Sequence, residues 1–348
     1  MFNCIKVDKN DTKYLRYLWR DGPNEAFQVI EQLMVPFGLT LSPFLSISVA
    51  KAHGALIENK AFKYHLLNDM YVGDLITAFD TEKEAIEFYR TVSTHMKEAN
   101  LHLKKWSLNS QAVLLEIPET DRNKASNFWL KENSMDENIP NKTLGLHYDL
   151  NSDCFKFQQP KIKQKVEMKR TVASDCLKIY DPLNWLGPFL LLAKIILQKA
   201  WKLKLDWDDP LPTHLQDDWA FFIEQMAFLP SIQIPRFRFK CFIETTELEI
   251  FADACSTSLG ICVYVFDHTP QTIPFLLFSK GRICPQSPAK FSIARKELLS
   301  CVLASKVSQF LLKETGVPIE RHHCFTDSLM SLYRIQKSAY NWKIWVRN

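Results

Sequence analysis

Asp253 and Asp327 each close a short strand-like run, Leu248–Ala252 in one case and Cys324-Phe325-Thr326 in the other. In open α/β sheets the carboxyl ends of the strands are where ligands bind. Two carboxylates brought together there repel unless a cation lies between them, which makes the pair a candidate Mg²⁺ site. An aspartate in that position also caps helices, so the pattern by itself leaves both roles open. Glu297 sits between them in Ala294-Arg295-Lys296-Glu297-Leu298-Leu299. On ideal helical geometry it falls opposite the centre of its own helix's apolar stripe, where a glutamate is ordinarily solvated. Asp74 closes the short run Tyr71-Val72-Gly73-Asp74. A basic series, Lys156, Lys161, Lys163, Lys165, Lys169 and Arg170, fits equally a tracker of phosphate backbone and a solvated surface segment. His322-His323-Cys324 is no shared ligand set, because neighbours on a strand point to opposite faces.

Composition removes several classes of chemistry. Only nine glycines occur in 348 residues, and no two lie close enough for a Walker A loop or a dinucleotide fingerprint. Nine cysteines without a CxxC pair indicate neither a zinc module nor a disulfide framework, so reduced intracellular thiols are expected. No run approaches the roughly 20 apolar residues of a membrane span. The opening Met1–Asp11 also lacks the pattern of a secretory leader, which together predicts an intracellular chain, cytoplasmic or nuclear, with no membrane partner. A net charge of +4 permits a polyanionic partner without demanding one.

The elements that must position these residues follow from periodicity and punctuation. Thr81 and Glu84 form a capping box, and Ala85, Phe88, Tyr89, Val92 and Met96 recur at helical spacing up to Asn100. Leu146, Tyr148, Cys154, Phe155 and Phe157 suggest a hairpin turning at Asn151-Ser152-Asp153. Residues from about 170 to 230 read as proline-punctuated helices, with Trp201, Trp207 and Trp219 as packing residues. Ile234–Phe237 then reads as an extended linker. Ile261–Phe266 is apolar on both faces, as in a strand covered on both sides. Ser292 starts a long helix with the stripe Leu298, Leu299, Val302, Leu303, Val307 and Phe310, ending near Gly316-Val317-Pro318.

In this order the residues resemble a known family. Glu249–Ala254, Ser279–Ile283, Ala294–Leu299 and Phe325–Ser328 are similar to the ribonuclease H domain of BEL/Pao retrotransposon Pol polyproteins. Upstream, Val35-Pro36-Phe37-Gly38 with Ser42-Pro43-Phe44 resembles the reverse-transcriptase segment that holds template and nucleotide, and Tyr71–Asp74 resembles the catalytic hairpin. Leu103–Ser107, Leu144-Gly145-Leu146 and Ile179–Leu183 resemble the segments that follow.

The resemblance implies an α/β chain in three pieces: an α+β palm-like domain over 1–150, a hairpin and helical connection over 151–240, and an incomplete ribonuclease H-like mixed sheet with helices over 241–348. It implies Mg²⁺ at Asp253, Glu297 and Asp327, acting on an RNA·DNA hybrid or other nucleic acid. Tyr71, Pro36, Phe37 and Gly38, with Lys163 and Lys165, are the implied substrate contacts. Palms of this kind use three carboxylates. Here Gly73 replaces one, leaving Asp74, and the family's strand aspartate would precede Met1. The family's fourth nuclease acid, last strand and last helix would follow Asn348. Polymerase activity is therefore expected to be lost. The alternative is a non-catalytic nucleic-acid-binding or interaction protein derived from such an element, or an inactive fragment. The hairpin itself is expected to close, because Gly73 accepts any turn conformation.

Overall fold

Local caps start and stop the helices that frame the chain. Thr81 Oγ1 accepts from the Glu84 backbone N–H at 3.2 Å and opens the helix Glu82–Glu98, which buries Phe88, Val92 and Met96 on one face. The long helix Ile293–Thr315 ends at Gly316, whose φ of +71° lets the chain leave in a left-handed conformation. The computed structural model describes residues 2–132, 141–162, 167–236, 246–267, 273–284, 292–342 and 346. Contacts divide it into two units, Met1–Leu144 with Tyr148–Asp153, and Gly145–His147 with Cys154–Asn348. Among the described residues no helix is long and apolar enough to cross a membrane.

The N-terminal unit runs through β1 (Arg16–Trp19), β2 (Gln28–Glu31), α1 (Ser42–Gly54), α2 (Lys60–Asn68), β3 (Met70–Tyr71), β4 (Asp74–Leu75), α3 (Glu82–Glu98), α4 (Gln111–Leu115) and α5 (Lys124–Glu132). β1 and β2 form one antiparallel pair and β3 and β4 another. Ala50 of α1, Phe62 and Leu66 of α2, and Phe88, Val92 and Met96 of α3 make its main core. The short strands β5 (Lys142–Thr143) and β6 (Leu146–Asp149) follow.

The second unit contains β7 (Cys154–Lys156), α6 (Lys169–Cys176), α7 (Gly187–Lys202), α8 (Thr213–Gln225), β8 (Gln233–Pro235), β9 (Thr246–Ala254), β10 (Ser258–Asp267), β11 (Phe275–Ile283), α9 (Ile293–Thr315), β12 (His322–Phe325) and α10 (Leu329–Gln336). Ile234 and Pro235, expected in a linker, belong to β8, which pairs antiparallel with β7: an extended segment gains its missing hydrogen bonds by joining a strand. The four-stranded sheet has the order β11-β10-β9-β12, with β12 parallel to β9 and the other pairs antiparallel.

Strand alternation decides which face of this sheet is dry. Leu248, Ile250 and Ala252 of β9 and Ile261, Val263 and Val265 of β10 are buried with Leu303, Ala304, Val307 and Leu311 of α9. The opposite face of β10, carrying Cys262 and Tyr264, is only half-buried, so that strand is less fully covered than its apolar composition predicts. The outer side of β11 is met by the helical segment: the Ser279 N–H donates to the Leu183 carbonyl at 3.1 Å, and Trp185 Nε1 to the Leu277 carbonyl at 3.2 Å. Gln198 of α7 donates to the Cys284 carbonyl at 2.8 Å. Helical segment and sheet thus form one hydrogen-bonded body, which protects a strand edge.

Candidate functional site

β12 runs parallel to β9 with Cys324 opposite Ile250 and Phe325 opposite Phe251. Continuing that register by two residues brings Asp327 level with Asp253, at the carboxyl ends of two adjacent parallel strands. Both aspartates are exposed, and Asp253 Oδ1 accepts from the Ala254 N–H at 2.6 Å.

Glu297 differs from its expected placement. The buried face of α9 is Lys296, Ser300, Leu303, Ala304, Val307, Ser308 and Leu311, while Val302 and Phe310 of the expected stripe are 43% and 55% exposed. Ser300, Ala304 and Ser308 are small, which lets the helix lie close to the sheet on that side. Glu297 borders this face and is half-buried rather than solvated. Its Oε2 accepts from Ser328 Oγ at 2.5 Å, and Ser328 Oγ in turn accepts from the Ser331 N–H at 3.2 Å as the N-cap of α10. The glutamate is therefore fastened to the turn that carries Asp327.

Lys296 carries a role that its sequence context hides, because a lysine in a helix is ordinarily solvated. It recurs with Ser300, Leu303 and Val307 on the inner face, and its buried ammonium donates to the Ser256 carbonyl at 2.5 Å, pinning the turn after Asp253. In that turn the Cys255 thiol is pulled down to about 7 by its hydrogen bonds with Ser258, at 3.2 Å, and Thr257, at 3.3 Å. The three carboxylates share an edge without closing to ligand distance: among the described residues, the one trio whose ligating atoms all lie within 4.8 Å of one another is elsewhere, in the N-terminal unit.

The hairpin Tyr71–Asp74 forms, with Tyr71 paired to Asp74. Its unusual conformation falls on Val72, at φ +52°, and not on Gly73. A β-branched residue in the left-handed region is strained. Val72→Gly is expected to raise the stability of the N-terminal unit by about 1 kcal/mol, read from urea unfolding midpoints; an unchanged or lower midpoint would show that Val72 pays no strain there. Tyr71 and Asp74 are both exposed. Gly38 adopts φ +89° with open space around it, the Pro36 carbonyl accepts from Ser42 Oγ at 2.6 Å, and Phe37, 71% exposed, meets Phe2 edge-on at 5.1 Å.

The basic series divides. Lys163 and Lys165 lie outside the described residues. Lys169 and Arg170 are engaged within the protein. Lys169 is buried, its Nζ donates to the Leu205 carbonyl, and it lies 4.9 Å and 5.7 Å from the ring centres of Trp207 and Trp201. Arg170 forms a two-pronged pair with Asp208 at 2.7 and 2.9 Å. Trp201 and Trp207, expected in the core with Trp219, are 51% and 44% exposed and flank this lysine instead.

Residues 168–328 match the family described as the Pao retrotransposon-like RNaseH-like domain. That segment is similar to the Pao retrotransposon-like RNaseH-like domain. Its C-terminal sheet and helices are the RNase H-like part, with the aspartate-tipped strands β9 and β12 and the helix α9 inside the matched segment. The likeness in fold extends further. A foamy viral protease-reverse transcriptase, dRH, in complex with double-stranded DNA aligns over 94% of this chain with a TM-score of 0.53 at 12% identity, and the same viral protein in another double-stranded DNA complex aligns over 93% with a TM-score of 0.45 at 12% identity. The chain spans 49% of the length of the first viral chain and 65% of the second. At such identity the first match is one of fold. No curated protein matches the sequence.

Proposed function

We propose that this chain acts inside the cell within a pol-type protein, that its C-terminal unit is a Mg²⁺-dependent nuclease module for RNA·DNA hybrids, and that its palm-like unit holds nucleic acid without copying it. The observation that carries the nuclease reading is the shared strand end: Asp253 and Asp327 are level on parallel neighbours, with Glu297 tied through Ser328 to the same turn. Oxygen donors of this kind suit Mg²⁺, which keeps several waters and needs only one or two direct carboxylates beside a substrate phosphate. Bound there, it would supply an activated water and charge for the leaving 3′ oxygen. Ser328 holds Glu297 in place and Lys296 holds the turn beyond Asp253. The double-stranded DNA bound by the foamy viral proteins supports a duplex partner. In the palm-like hairpin, Gly73 stands beside Asp74 where the resemblance implies a second carboxylate, which weakens any two-dication clamp there. Primer extension on an RNA template is expected to be undetectable.

A melting series tests the site without a cleavage assay. In metal-free buffer Asp253→Asn is expected to melt higher than the parent, because one of two facing like charges is removed. Mg²⁺ at ten times its Kd should add about 1.4 kcal/mol, roughly 2–4 °C, to the parent and nothing to the variant. Cleavage of a hybrid by the parent, lost in Asp253→Asn, would extend the same result to catalysis. If the variant melts no higher without metal and responds to Mg²⁺ like the parent, the three acids form no site.

A further inference from the structure

The trio that does close to ligand distance belongs to the N-terminal unit, at the crossing of α1 and α3. His53, next to the last residue of α1, and His95, in the last turn of α3, stack with ring centres 4.2 Å apart and planes 14° from parallel. The two rings exchange hydrogen bonds with each other's backbone. His53 Nε2 lies 2.7 Å from the His95 carbonyl, and His95 Nε2 lies 2.8 Å from the His53 carbonyl. A carbonyl oxygen only accepts, so in both rings Nε2 carries the hydrogen and the neutral imidazole keeps its lone pair on Nδ1. A ring N–H donated to a backbone carbonyl is also how metal-ligating histidines are held in tautomer and orientation.

The third member follows from helical spacing. Glu98 is three residues after His95, on the same side of α3, and its Oε2 lies 3.8 Å from His95 Nδ1. One ligating atom from each of His53, His95 and Glu98 lies within 4.8 Å of the other two. Ligand atoms around a tetrahedral Zn²⁺, at about 2.0–2.1 Å from the ion, stand roughly 3.3 Å apart, so binding draws the set inward and tilts the two stacked rings out of parallel until both in-plane lone pairs aim at the ion. The histidines are half-buried, while Glu98 is exposed and leaves the ion a path in and a fourth position for water.

We propose that His53, His95 and Glu98 bind one Zn²⁺ ion, which staples the end of α1 to the end of α3. Two imidazole nitrogens and one carboxylate oxygen suit Zn²⁺ and its neighbours in the first transition row, and disfavour Mg²⁺, which takes oxygen ligands. This site is independent of the carboxylates proposed for Mg²⁺ in the other unit.

The test uses the full chain freed of metal with a chelator and titrated with Co²⁺ and then Zn²⁺. Co²⁺ reports its ligands: thiolates such as Cys255 give an intense charge-transfer band, whereas a nitrogen and oxygen site gives only weak visible bands. One equivalent of Co²⁺ is expected to bind with the weak bands alone, to be displaced by Zn²⁺, and to raise the melting temperature. Glu98→Gln, at an exposed position that leaves the ring stack intact, should weaken binding at least tenfold, and His95→Gln should abolish it. No binding, binding with a thiolate band alone, or binding that Glu98→Gln leaves unchanged would overturn the site and leave the histidines as a clasp between two helices.

Discussion

Trp219→Ala is expected to remove about 3–5 kcal/mol of stability, much of what a domain ordinarily has. Trp219 is 2% exposed, its ring stacks on Phe222 at 5.0 Å, and Phe222 stacks on Phe189 of α7 at 4.4 Å. Leu215, Trp219 and Phe222 recur at four and three residues along α8, so the face that holds α8 to α7 rests on these side chains. Alanine at 219 deletes the largest of them and leaves a cavity that the remaining rings fill only in part. Because α7 also packs against β11, the loss should lower one cooperative transition of residues 154–348 rather than melt the helices separately. Urea unfolding followed by helix and sheet signals checks both points. A loss under 1 kcal/mol, or two separate transitions, would contradict the packing described.

Asp181→Ala is the second large effect expected, about 2 kcal/mol at neutral pH. Asp181 accepts from the backbone N–H groups of Trp185, at 3.0 Å, and Leu186, at 2.7 Å, in the turn that leads into α7, and alanine leaves both donors without it. The carboxylate lines a cavity of about 440 Å³ with Tyr180 and Lys194. Burial raises its pKa above the ordinary aspartate value, and the two backbone bonds and Lys194 only partly offset that. A raised acid holds its proton in the folded chain after the unfolded chain has released it. Its contribution is therefore complete below the ordinary aspartate value and declines as pH rises through the raised one. The stability difference between parent and Asp181→Ala should be larger at pH 4 than at pH 7. A difference that grows with pH would show that the two hydrogen bonds outweigh burial.

Elements that depend on a few neighbouring residues were legible from the sequence. Thr81 begins α3 and Gly316 ends α9 because caps act over three or four positions, and both aspartate-tipped strands follow from short local patterns closed by an acid. The order of these elements was enough to recognise the Pao-like segment, which the match over 168–328 bears out. The strand–strand register that sets Asp327 level with Asp253 joins residues more than seventy positions apart, and no local period contains it.

Side-chain fates were decided by such distant partners. Lys169 and Arg170 look like free basic residues until Leu205, Trp207 and Asp208 meet them, and Trp201 and Trp207 look like core until Lys169 occupies the space between them. Ile234 and Pro235 became a strand because Cys154–Lys156 offered an open edge. Glu297 is the sharpest case. Helical geometry gives its angle on α9, but the small residues Ser300, Ala304 and Ser308 set how the helix seats on the sheet, and Ser328, arriving from beyond β12, turned a surface glutamate into one held at the strand ends. Periodicity is a property of one segment, whereas burial and hydrogen bonding are properties of pairs, and in this protein the pairs that matter for chemistry are brought together only by the folded sheet and the helix lying on it.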